Sequence, residues 1–195
     1  MTAFTFLVAA ILLTIAYFFL SGYFRVWRTF RGQRLIICPE NHKPAAVRVD
    51  ASRAAKWTAI AGETPLSLST CSRWPEMAGC GQECLAQVES SPGSCAVKTI
   101  VTRWYEGKSC AFCGHAIEEI VWHERPPALR APDGSTHEWK EIQTELLPSV
   151  FATHEAVCWP CHIRESFRHN HPELMLERPP HIERHPVIPP SLSVY

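Results

Sequence analysis

The pattern of apolar and polar positions divides the chain. Residues 3–24, AFTFLVAAILLTIAYFFLSGYF, run 22 positions without a charge. An all-round apolar run offers no polar face to water, so it predicts a helix for lipid rather than a half-buried one. At ~1.5 Å per residue it reaches ~33 Å, enough for a ~30 Å hydrocarbon core. Beyond it the pattern breaks into short pieces. Leu35-Ile36-Ile37 is closed by Cys38-Pro39, and Ala46–Asp50 and Leu66–Ser69 alternate with period two around the breaker Gly62-Glu63-Thr64-Pro65. These predict strands of a small sheet, with Cys38 before it and Cys71 after it. A short helix is predicted over 82–89. A better one starts at Ser94 after Pro92-Gly93, carries Val97, Ile100, Val101, Trp104 and Tyr105 on one face, and stops at Gly107.

Glu119-Ile120-Val121-Trp122 reads as a strand. Pro127–Arg130 and Thr136–Trp139 flank Ala131-Pro132-Asp133-Gly134-Ser135, a hairpin signal, and residues 146–151 and 162–170 read as helices. From residue 172, six prolines in 24 residues predict an extended tail. The whole is an α+β chain. Residues 1–34 are a transmembrane helix with a basic juxtamembrane segment, 35–107 a Cys-rich α+β part, 108–171 a part with two C-x-x-C pairs, and 172–195 a Pro-rich tail.

Charge adds sidedness. The 195 residues carry 19 basic and 19 acidic side chains, but Arg25, Arg28, Arg31 and Arg34 all follow the apolar run. No basic residue precedes it, so the positive-inside rule puts the N-terminus outside and the rest of the chain in the cytoplasm. Arg25, Arg28 and Arg31, three residues apart, suit anionic headgroups. A cleaved signal peptide is the rival, although it lacks a basic n-region and an A-x-A site. Beyond Arg34 the chain holds 15 basic against 19 acidic residues. That balance is a poor match for phosphate neutralisation, so no nucleic-acid partner is expected. Membrane lipid and another protein are.

Nine cysteines carry the chemistry. Cys110-Ala111-Phe112-Cys113-Gly114 and Cys158-Trp159-Pro160-Cys161-His162 each place two thiolates on one tight turn. Two such pairs supply the four soft ligands of tetrahedral zinc. The 44 residues between them hold the hairpin, which can fold out and bring the pairs together. The segment from Cys110 to about Phe167 resembles the treble-clef and zinc-ribbon families in its C-x-x-C-G knuckle, its hairpin and a second C-x-x-C that opens a helix. That resemblance implies a structural metal site and says little about task.

Other readings compete at the second pair. C-x-x-C-H is the attachment motif of c-type haem, with His162 as axial ligand, but the Trp-Pro insert is unusual there and the chemistry belongs outside the membrane. Cys-Trp-Pro-Cys also resembles the C-x-P-C of thioredoxin-like proteins, with Cys158 as nucleophile and Cys161 as resolving thiol, though no βαβ unit surrounds it. HNH-type nucleases use paired knuckles as well, with His115, His123 or His154 as imagined catalytic groups. Of the remaining cysteines, Cys38, Cys71, Cys80 and Cys84 can form a second metal site, zinc or an iron–sulfur cluster, or serve as small core residues. Cys95 is the odd one, or replaces Cys38, and His42 is a substitute ligand or a turn residue. Six tryptophans, 57, 74, 104, 122, 139 and 159, are expected to seal cores too small to stand without metal. No nucleophile–base–orienter set, phosphate loop or carboxylate pair is legible, which favours a binding or assembly role over an enzyme, with electron transfer next.

Overall fold

The computed structural model describes residues 2–174 apart from Ala78, Glu118 and Glu119. Helix α1 (Thr2–Phe30) contains one span long and apolar enough to cross a membrane. Every residue from Ala3 to Leu20 is exposed. Exposure falls only at Ser21–Tyr23, Val26, Trp27 and Phe30, at the end of α1 that leads into the rest of the chain.

Strands β1 (Gln33–Ile37), β2 (Pro44–Val49) and β3 (Leu68–Cys71) form an antiparallel sheet in sequence order, with a bulge at Arg48/Val49. The link from β2 to β3 is α2 (Ala51–Ala61), which packs on α1. Asp50 caps α2 by accepting the Arg53 amide at 2.9 Å, and Gly62 ends it in the left-handed region at φ 76°. Its Ala54 and Ala55 are fully buried. With no side chain beyond Cβ, they let the helix backbone come close. Val88 of α3 (Leu85–Ser90) joins Ile36, Ala45, Val47, Val49 and Leu68 in the first core.

The second core starts from α4 (Val97–Tyr105), whose buried positions Val97, Val101 and Tyr105 recur at helical spacing. They meet Leu129, Leu147, Val150 and Ala156. Strands β4 (Ala128–Arg130), β5 (Thr136–Glu138) and β6 (Glu155–Val157) form a second antiparallel sheet in the order β5-β4-β6. Helices α5 (Leu147–Thr153) and α6 (Trp159–Asn170) flank β6 in the chain. The Tyr105 hydroxyl donates to the Ala128 carbonyl, tying α4 to β4, and burial drives this phenol well above its ordinary range. Trp104 stacks on Phe151 at 5.0 Å.

Arg34 of β1 holds the end of α1 and the loop before α4. It is fully buried, and its guanidinium donates to the carbonyls of Pro92 and Thr29 and to Cys95 Sγ at 3.3 Å. It therefore belongs to the fold and not to the lipid-facing charges expected after the span. The expected strand at 119–122 is not seen: Glu119 lies outside the described residues, and the Val121 carbonyl accepts the amides of Glu124 and Arg125 in a turn. The expected tail lies outside them too, except for a 3-10 turn at Pro172–Leu174.

Candidate metal centre

Local structure fixes each half of the first cysteine quartet. The Cys110–Gly114 turn is closed by the Gly114 amide donating to the Cys110 carbonyl at 2.9 Å. Gly114 sits at φ 71°, which a residue with a Cβ rarely adopts. The Ala111 amide donates to the Ala156 carbonyl at 2.9 Å and so hooks this turn onto β6. That same strand runs directly into Cys158, which precedes α6 with extended backbone (φ −75°, ψ 152°). Pro160 occupies the first turn of α6, where a missing amide hydrogen costs nothing. Cys161 follows within that turn.

The result is a convergence. The sulfurs of Cys110, Cys113, Cys158 and Cys161 all lie within 4.8 Å of one another, and those of Cys113 and Cys158 are 3.7 Å apart. A tetrahedral ion with ~2.3 Å metal–sulfur bonds needs sulfur–sulfur edges of ~3.8 Å. Two ligands are buried, Cys158 is partly buried and Cys113 is exposed, so the site is reachable from solvent on one side. Burial pushes the Cys110 thiol up. The amides of Cys158, Cys113 and Phe112 and the Cys158 thiol outweigh that and hold it down at about 6. Burial, and then a hydrogen bond with Cys158, raise Cys161 to about 12, and burial also raises Cys158. Without an ion, one negative sulfur is welcome here and four are not, which is the electrostatic condition a divalent cation relieves.

The surroundings brace this geometry. Arg130 of β4 lies 5.0 Å from the Phe112 ring inside the first knuckle and pairs with Glu155 of β6 at 3.1 Å. His162 follows the last cysteine but is buried at 7% exposure, its Nδ1 3.0 Å from Thr136 Oγ1 of β5. It ties α6 to the hairpin, and burial lowers its pKa. His115, His123 and His154 do not belong to the convergent group. Ala156, in a strand the sequence does not signal, is the link that brings the two knuckles together.

The other quartet is placed differently. Cys38 follows β1, Cys71 ends β3, and Cys80 and Cys84 come from the loop before α3. All four line one hollow of about 130 Å³. Burial, with the sulfurs of Cys71, Cys80 and Cys38, pushes the Cys84 thiol up to about 11. They do not close to the mutual distances of the first group, which among the described residues stands alone in that respect. Cys95 lies apart, with Arg34, and His42 does not line the hollow. Comparison with known protein families, with curated proteins and with solved structures finds no match for this chain.

Proposed function

We propose that this is a single-pass membrane protein whose cytoplasmic part is organised by a zinc ion at Cys110, Cys113, Cys158 and Cys161, and that it serves in binding or assembly at the membrane surface. The observation that carries the reading is the mutual approach of four sulfurs drawn from two distant C-x-x-C pairs. Zinc suits a closed set of four thiolates with no open position. The arrangement also weighs against the rival uses of Cys158 and Cys161. For haem attachment their sulfurs would have to leave Cys110 and Cys113, and His162 would have to leave Thr136. For thiol exchange Cys158 would need a depressed thiol, yet burial raises it. Anchoring rests on the bare apolar surface of Ala3–Leu20, and sidedness on Arg25, Arg28 and Arg31, which remain after Arg34 is assigned to the core.

Elemental analysis of the full chain purified in detergent tests the metal. Zinc at this centre that is lost in both Cys110→Ser and Cys158→Ser supports the reading. A wild-type protein whose metal content neither variant changes overturns it. A reporter active only outside the cytoplasm, fused after Tyr195, tests sidedness and should stay inactive.

A further inference from the structure

The hollow under the first sheet is lined by four of the five cysteines outside the first centre. The four come from three separate pieces of chain: the turn after β1, the end of β3, and the loop that opens α3. Their polar surroundings are arranged for sulfur. The Arg73 amide donates to Cys71 Sγ at 3.5 Å. Arg73 also lines the hollow, and its Nε is buried without a hydrogen-bond partner, although its terminal nitrogen pairs with Glu76 at 2.8 Å. A buried guanidinium nitrogen without a partner is costly unless something negative completes the site.

Two further features sit on the same loops. Among the described residues the non-glycine positions with positive φ are His42 at 56° and Gln82 at 57°. One closes the turn that starts at Cys38, its amide donating to the Cys38 carbonyl at 2.9 Å. The other stands between Cys80 and Cys84, its Oε1 accepting the Leu68 amide at 2.9 Å. Such backbone costs of order 1–3 kcal/mol and persists where the surroundings demand it. Both positions lie on loops that carry cysteines of the hollow.

We propose that Cys38, Cys71, Cys80 and Cys84 form a second metal centre that takes a thiophilic metal, as a single ion or a small iron–sulfur cluster, through four thiolates. Each ligand enters by losing its thiol proton to water, and the net negative charge of the loaded site lies against Arg73. The hollow is roomier than the first quartet. A single zinc requires the four sulfurs to draw together, whereas a cluster suits a wider separation. This centre rests on its own residues and does not require the first one.

The test uses the full chain in detergent, purified without oxygen, with zinc, iron and acid-labile sulfide measured beside the absorption spectrum. Cys71→Ser/Cys80→Ser should remove a complement of metal that Cys110→Ser leaves in place, and Cys95→Ser should remove none. Lost zinc from colourless protein identifies the single ion; lost iron and sulfide with loss of visible absorption identifies the cluster. Alkylation of the wild type guards against misfolded variants. Cys38, Cys71, Cys80 and Cys84 should be protected when loaded and labelled after chelation. Equal labelling in both states, or the same metal content in wild type and double variant, overturns the second centre. Either result leaves the first centre to be judged by Cys110→Ser.

Discussion

The two cysteine quartets differ in how much local chain holds each ligand. In the first, every sulfur belongs to a C-x-x-C turn, and a single strand, β6, carries one turn and hydrogen-bonds the other. Two nearly rigid units need only one correct docking, and the sulfurs meet at 3.7 Å across it. In the second, Cys38 and Cys71 arrive singly at strand ends and Cys80 and Cys84 on a loop, so three pieces must be positioned independently. They leave a hollow of about 130 Å³. The region around the first quartet has less regular structure to hold it together. Its second sheet has strands of three residues each, and short strands bury little. The region around the second quartet has a longer sheet, a capped helix and the end of α1 against it.

The largest effect that would break this contrast is loss of a buried ligand at the first centre. Cys161→Ser, at a site 5% exposed, should abolish metal binding there. Structural zinc contributes an apparent ~10–16 kcal/mol in small domains, as much as a typical domain's whole stability of ~5–15 kcal/mol. Hydrogen exchange should then lose protection across β4, β5, β6 and the start of α6 while β1 and β2 keep theirs. Loss of protection in both sheets would mean that the two regions form one cooperative unit. Cys110→Ser should reproduce the pattern, since it removes a ligand of the same site.

Second in size is Arg34→Met. The substitution keeps much of the buried stem and deletes the bonds to Thr29, Pro92 and Cys95. Hydrogen bonds from charged groups contribute ~1.5–3 kcal/mol, and two carbonyls are left without their donor. Denaturant unfolding should show a loss of about 2–4 kcal/mol. Protection should fall in β1 and in the Ser91–Ala96 loop, with zinc content at the first centre unchanged. This inverts the Cys161→Ser pattern, so the pair measures how separable the regions are.

Much of this architecture is legible before any coordinates. The helical spacing of Val97, Ile100, Val101, Trp104 and Tyr105 foretells α4, and period-two alternation foretells β2. The C-x-x-C pairs name the first quartet because two thiols on one turn are a local signal. Other features are not local. Helix α2 is missed because five of its eleven residues are alanine, which gives little apolar contrast, and Asp50 passes for a strand end. Strand β6 is three residues long, too short to show a period, and exists through its pairing with β4. The start of α6 is misplaced to His162 because Pro160 looks like a breaker, whereas proline is tolerated in the first turn. Ile120-Val121-Trp122 has strand composition but no partner strand among the described residues. Arg34 reads as one more basic residue after an apolar run, and only tertiary structure shows it buried.

Asp50→Ala comes third. It removes the acceptor for the Arg53 amide at the start of α2 and should cost about 1 kcal/mol. Because α2 packs on α1, the loss should be confined to that contact and to β2 and β3, and metal content should not move. A measurable loss of zinc from the first centre would show that the two halves are energetically coupled.

The smallest expected effect sharpens the account of how the first centre is braced. Arg130 and Glu155 form an ion pair at 3.1 Å, with side chains 38% and 61% exposed. Pairs this open contribute ~0.2–1 kcal/mol and weaken as salt screens them. Glu155→Gln should therefore lower stability by a few tenths of a kcal/mol, with the difference vanishing near 1 M salt. Arg130 also faces the Phe112 ring at 5.0 Å, a contact that adds about 0.5–1 kcal/mol at exposed sites. Arg130→Gln should exceed Glu155→Gln by that amount and keep part of its effect in high salt, because the covering of Phe112 by the arginine stem is not electrostatic. If the two substitutions behave alike at every salt concentration, the ring contact contributes nothing. The knuckle is then held by its backbone bonds, the one from Ala111 to Ala156 among them.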